Sequence, residues 1–394
     1  MTRRPGTPRL LRQLNDRAAL ELLLTLGPLT RAELGRHTGL SKVTSGQLLA
    51  RLQRKGLVRV SGERPGGRGP NAALYSVVPS SAYVAGLDVL PDTVTAGIAD
   101  ITGATVAEIT LELGGDPAAV VHDAVRQACE RADVALSRLR AVVIGTRGVV
   151  DPATGEVRFS FDLPAWHLGA LARLRTALGK SVIIENDVNL AAVAERAYGA
   201  ARGVDDFVLL WTGIGQGLGV MLGGRLHRGV TGGAGEVGWL PVPGEPLPTD
   251  VSEPQSGSFQ RLVGGEAVAN LAASYGIAET VPDEITADWI ADVVRTAVTT
   301  DAAGFLDELA MRLAVGVAAT AVVLDPGLVV LGGTVGRAGG VALASRVEEA
   351  VARICPSRPR VAVTEVEGNP ILRGALLVAL DHAREELFAS TVEA

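Results

Sequence analysis

Leucines recur at helical spacing at Leu20, Leu23 and Leu24, which predicts a helix over 16–26. Gly27-Pro28 stops it. Thr30 opens a second helix: its hydroxyl caps the first turn while Glu33, three residues on, reaches back, the signature of a capping box. Gly39 breaks that helix, and Ser41 caps a third running from Lys42 to about Lys55. On a helical wheel Ser45, Leu48, Leu49 and Leu52 gather on one side and Val43, Gly46, Gln47, Ala50 and Arg51 on the other. Two helices joined by a tight glycine-containing turn make a helix-turn-helix. Strands at 56–60 and 73–77 follow, and the glycines and prolines between them keep the tip thin, so they read as a wing.

From residue 82 the period changes. Segments 83–88, 94–100 and 105–113 read as neighbouring strands, and short apolar strands at 141–144, 181–184, 207–210 and 328–331 alternate with helices. Such alternation predicts an α/β body with helices on both sheet faces, here as two lobes around a cleft. The short linker at 79–81 divides the chain into a head at 1–79 and a body at 80–394. The longest apolar stretch, 314–324, is too short to span a bilayer and runs into Asp325-Pro326, so it is a buried helix.

Charge separates the same two parts. The 394-residue chain carries a net charge of -6, yet residues 1–80 hold 14 Lys and Arg against 4 Asp and Glu. A basic head on an acidic body suggests that the head alone meets a polyanion. No apolar segment follows the basic N-terminus, and two cysteines make no disulfide framework, so a reducing cytoplasm is expected. Within the head, Gln47 suits adenine and Val43 a thymine methyl, while Lys42, Thr44 and Arg51 suit phosphates. Gly46 costs the helix roughly 1 kcal/mol relative to Ala but lets it lie close to base edges. Arg64 and Arg68 on the wing suit a narrow minor groove. The competing reading is a solvated helix face.

The body resembles the ROK family, named for repressors, open reading frames and kinases. The resemblance rests on Glu185-Asn186-Asp187-Val188-Asn189, the glycine run 212–219 followed by Gly223-Gly224, Gly233-Ala234-Gly235-Glu236-Val237-Gly238, and Asp325-Pro326-Gly327 with Val329-Val330-Leu331-Gly332-Gly333. It implies an actin-like, hexokinase-type body of two ribonuclease-H-like lobes, behind a winged helix-turn-helix in the family's regulators. It also implies that Asp187 corresponds to the catalytic base, that Asn186 and Glu236 meet sugar hydroxyls, and that Gln260 falls at a further sugar-contact position. A homodimer is expected on the same ground, because one recognition helix reads too few base pairs; the operator would be an inverted repeat with half-sites about 34 Å apart.

The departures from the family pattern matter as much. Where kinases of the family have D-x-G-G-T, this chain has Asp88-Val89-Leu90-Pro91-Asp92-Thr93. Side chains then crowd the phosphate path, and proline removes an N–H donor. Trp239 stands at the position of the family's zinc-binding His, and Val251, Glu253 and Ser258 stand at cysteine positions, so no zinc and no cofactor is expected. Trp239 has two readings, stacking on a sugar face or filling the space of the lost metal. Arg147 replaces the proline of G-x-P-G; an ion pair with Asp151 is the preferred reading, contact with an anionic ligand the other. Together these features predict a non-enzymatic, ligand-responsive DNA-binding regulator with a sugar or sugar derivative as effector. A sugar kinase and a constitutive regulator with a vestigial sensor are the alternatives.

Overall fold

The computed structural model describes residues 8–65, 71–112, 114, 116–160, 169–179, 181–253 and 256–390. The head contains α1 (Pro8–Leu26), β1 (Leu29–Thr30), α2 (Arg31–Thr38), α3 (Lys42–Arg54), β2 (Val58–Arg64) and β3 (Ala72–Val77). Both parts of the capping box form: Glu33 N donates to Thr30 Oγ1 at 3.2 Å, and Thr30 N donates to Glu33 Oε2 at 2.9 Å. Gly39 closes α2 in the left-handed conformation that favours glycine. Ser45, Leu48, Leu49 and Leu52 face inward from α3 and meet Leu20, Leu23 and Leu34 in the core. β3 lies between β1 and β2 in an antiparallel sheet. Helix α1 begins earlier than its leucine spacing predicts, at Pro8 rather than residue 16, and its added turns reach the end of the body's last helix.

A 3-10 turn at Pro79–Ser81 leads into the first lobe. Here β4 (Tyr83–Val89), β5 (Thr93–Asp100) and β6 (Thr105–Glu112) form an antiparallel meander. After α4 (Pro117–Arg131), β7 (Leu139–Thr146) adds parallel to β4. The small hairpin β8 (Val149–Val150) and β9 (Val157–Phe159) and helix α5 (Ala170–Leu178) precede β10 (Ser181–Asn186), which adds parallel to β7. Helix α6 (Asp187–Tyr198) then crosses to the second lobe. There β11 (Phe207–Thr212), β12 (Gln216–Leu222) and β13 (Arg225–Leu226) repeat the meander. Helices α7 (Ser258–Val263), α8 (Gly265–Ser274), α9 (Ala287–Thr299) and α10 (Ala303–Leu324) intervene before β14 (Leu328–Gly332). Helix α11 (Gly333–Ile354) leads to β15 (Arg360–Val363), and α12 (Pro370–Ser390) returns to the first lobe.

The two five-stranded sheets have the same order, β6-β5-β4-β7-β10 and β13-β12-β11-β14-β15. Each is a meander extended by two parallel strands, so the lobes are two copies of one ribonuclease-H-like plan: the alternation of elements predicts the α/β body, and the family resemblance implies its actin-like form. The parallel strands are buried on both faces, which explains their unbroken apolar runs. The apolar stretch 314–324 lies in α10 and is buried on one face only: Ala314, Val317 and Ala321 line the second lobe's core, whereas Val322 and Val323 are exposed, so the helix is not buried throughout as its composition predicts. Among the described residues no helix is long and apolar enough to cross a membrane.

Candidate functional site

The head displays Lys42, Val43, Gln47 and Ala50 on the exposed side of α3, with Val43 69% exposed. Thr44 is half-buried and its hydroxyl is 2.9 Å from that of Ser41, the residue that caps the helix. Gly46 lies beside Arg31 of α2. Two arginines differ from their expected roles. Arg51 does not stand free for a phosphate: its Nε donates to Asp16 Oδ2 at 3.0 Å and its Nη2 to Oδ1, a bidentate pair with a carboxylate on α1 that is fully buried. It therefore fixes α3 against α1. Arg64 is bound to Glu33 of α2 rather than extended from the wing, and the same carboxylate completes the capping box. The backbone and side chain of Thr30, with Arg64, hold Glu33 below the usual carboxylate range. Arg68 lies outside the described residues.

Arg31, Arg36 and Lys42 line a groove of about 740 Å³ between α2, the start of α3 and β3. The first two lie on α2, outside the third helix that carries most of the DNA-facing candidates of the sequence. The signal was available, because the first helix of a helix-turn-helix crosses the DNA backbone, and here it carries both arginines.

The second site is the cleft between the lobes, a cavity of about 380 Å³. Asn186 ends β10 and caps α6: its Oδ1 accepts from Asn189 N at 3.0 Å and its Nδ2 donates to the Gly148 carbonyl at 3.1 Å. That cap places Asp187 in the first helical turn, in the cleft wall. Glu236 enters from the other lobe. Gly235 before it has φ +102°, and a Cβ there would overlap the Leu218 carbonyl oxygen, so only glycine lets this loop lie against β12 and aim Glu236 inward. Burial raises both acids, Asp187 to about 6 and Glu236 to about 7. The negative charge of Asp187 adds to the rise at Glu236, while the positive charge of Arg147 opposes the rise at Asp187.

Arg147 belongs to this cleft and not to the ion pair expected with Asp151. Asp151 accepts from Arg158 at 2.5 Å and from Ala153 N at 2.9 Å. Asp88, which the sequence reading left out of the site, also lines the cleft and is only 4% exposed. Gln260 and Trp239 are not among the residues lining it. The Gln260 amide donates to the Ile214 carbonyl at 2.8 Å, bracing the glycine turn 213–217, and Trp239 is half-buried in a 3-10 turn after Glu236. Leu90 takes the place of a phosphate-loop glycine at the cleft edge. Its N–H donates to the Thr93 carbonyl at 2.9 Å, closing a tight hairpin over Pro91-Asp92.

At the expected cysteine positions, Val251 is exposed and the buried Ser258 donates to the Pro246 carbonyl at 2.9 Å. Among the described residues no three His, Cys, Asp or Glu side chains are grouped as metal ligands.

Residues 84–382, most of the chain, match the ROK family. The chain belongs to the ROK family. Residues 13–69 of this ROK protein match the MarR family. It is 25% identical to the xylose repressor of Caldicellulosiruptor bescii over 59% of this chain and 60% of that protein. It is 31% identical to the glucokinase of Thermotoga maritima over 59% of this chain and 75% of that enzyme. The match thus spans about three-fifths of the repressor's length. The crystal structure of a ROK family transcriptional regulator, a homologue of the E. coli MLC protein, superposes with a TM-score of 0.75 at 17% identity, covering 97% of this chain and 99% of that one. That likeness establishes a shared fold, with the winged head in front of the two lobes.

Proposed function

We propose that this ROK protein is a DNA-binding transcriptional regulator whose cleft binds a sugar or sugar derivative without phosphorylating it. Residues 1–79 read an operator and residues 80–394 sense the effector. The observation that carries this reading is the state of the cleft. Hydroxyl-facing groups persist at Asn186, Asp187 and Glu236, while the phosphate loop is the closed Leu90–Thr93 hairpin. Carboxylates accept hydrogen bonds from hydroxyls. Transfer of a phosphoryl group needs backbone donors and space around the phosphates, and Leu90 and Pro91 take both away.

On DNA, Gln47 and Val43 face the bases, and Lys42 and Thr44, together with Arg31 and Arg36, hold phosphates. Arg51 and Arg64 stiffen the head that presents them. A symmetric dimer would set two such heads on an inverted repeat.

The similarity to a glucokinase supports one second reading, residual kinase activity, since Asp187 occupies the base position. Both readings are tested together. The full chain is taken through selection from random duplex DNA, through thermal shift with D-xylose, D-glucose and other monosaccharides, and through an ATP-consumption assay with each sugar. The regulator reading expects an enriched sequence, a raised melting temperature with at least one sugar, and no ATP consumption above buffer. Sugar-dependent ATP turnover, or no enriched sequence, would overturn it.

A further inference from the structure

The cleft and the last helix meet through one side chain. Asn369 Nδ2 donates to Asp88 Oδ2 at 2.7 Å. Asn369 Oδ1 accepts from the backbone N–H groups of Ile371 and Leu372, both at 3.0 Å, which caps α12. The other oxygen of Asp88, Oδ1, is buried in the cleft wall with no hydrogen-bond partner among the described residues. A buried acceptor left in that state is unfavourable until a donor reaches it.

Helix α12 is set rigidly in the first lobe. A Cβ at Gly86 would collide with the Leu376 backbone, and one at Gly374 would overlap the Leu190 carbonyl of α6, so α12 lies directly on β4 and α6. It has 21 residues and runs about 30 Å. At its far end the Phe388 ring lies under the Arg17 guanidinium, 5.6 Å from its carbon to the ring centre. The Ala389 carbonyl accepts from Gln13 Nε2 at 3.4 Å. Gln13 and Arg17 belong to α1, and Asp16 between them holds Arg51 of the DNA-reading helix. Leu387 and Phe388 share one continuous core with Leu20, Leu23 and Leu48 of the head.

We propose that Asp88 is an effector-binding residue, its Oδ1 accepting a hydrogen bond from a hydroxyl or ammonium donor of the ligand, and that Asn369 passes this contact through α12 to α1 and α3. This deepens the reading of the cleft as a sugar sensor and rests on it. A donor at Oδ1 draws electron density from the carboxylate and alters its hold on Asn369, the residue that fixes the start of α12. Ligand then biases the position of the first lobe and α12 as one unit, and with it the head, by the difference in its affinity for the two arrangements.

The test uses the full chain, a duplex selected by that chain from random sequence, and the monosaccharide that raises its melting temperature most. Asp88→Asn should weaken that sugar at least tenfold by calorimetry. The pair Arg17→Ala and Phe388→Leu, far from the cleft, should leave sugar affinity within twofold while reducing the sugar-induced change in duplex affinity at least fivefold. Asp88→Asn binding sugar as wild type does would overturn the contact. The distal pair responding to sugar as wild type does would overturn the relay, and remains informative if Asp88→Asn does not fold. A wild-type chain that binds none of the sugars would overturn the sensor reading itself, and the relay with it.

Discussion

Glu236→Gln should stabilise the protein, and more so as pH rises. Burial holds Glu236 at about 7 against an ordinary value of 4.5. Between those two pH values the folded body keeps a proton that the unfolded chain has released. Stability is therefore lost as pH rises through that window, and the loss is complete above about 7. Glutamine has the shape of the protonated acid and carries no such penalty. At about 1.4 kcal/mol per pH unit, the wild type loses about 1 kcal/mol by pH 5 and about 3 kcal/mol by pH 8. The variant's advantage should grow by about 2 kcal/mol over that range. Unfolding entropy of about 2 cal/mol/K per residue over residues 80–394 converts this to about 3–4 °C. Calorimetric melting of both proteins at pH 5, 6, 7 and 8 measures the gap directly. A gap that stays constant with pH would refute the argument, because it would mean that Glu236 is already charged throughout the range.

Arg51→Ala should destabilise the head by about 3 kcal/mol, because it leaves Asp16 buried and unpaired, whereas Lys42→Ala should weaken DNA binding and leave the melting temperature within about 1 °C, as expected of a surface substitution; thermal melts beside duplex titrations separate the two. Gly235→Ala should abolish the sugar-induced melting shift, since the residue has φ +102° and its Cβ would overlap the Leu218 carbonyl that positions the Glu236 loop. The dialysed protein should contain well under one zinc per chain, as elemental analysis would show, because Trp239, Val251, Glu253 and Ser258 supply no thiolate or imidazole.

The elements were legible wherever periodicity and capping agreed. Thr30 with Glu33, Ser41, and the leucines of α3 define the helix-turn-helix, because each signal is local in sequence. The α/β body was legible as alternation, although the duplication of the sheet, with its matching strand order in the two lobes, appears only in three dimensions. The cleft was partly legible: Asn186, Asp187 and Glu236 line it. The misassigned residues share one physical cause. Arg51 and Arg64 are each tied to a partner distant in sequence, and Arg147, for which the sequence favours a local pair, lines the cleft with Asp88 and Asp187 instead. Asp16 is 35 residues from Arg51 and Glu33 is 31 from Arg64. Gln260 occupies a recognisable position, yet its amide braces the Ile214 carbonyl 46 residues away. Asp88 is visible in the sequence only as part of the altered D-x-G-G-T segment, because its hydrogen-bond partner Asn369 lies 281 residues later. Long-range pairing of single polar groups leaves no period in the sequence.

The most direct test of the central claim is an anisotropy titration of the full chain on its selected duplex, with and without saturating sugar, at fixed salt. The account predicts sequence-specific binding whose affinity changes about 5- to 150-fold on adding sugar, the range of a coupling of about 1–3 kcal/mol, with no response from Asp187→Ala. Identical binding curves with and without every sugar that binds the protein would contradict it.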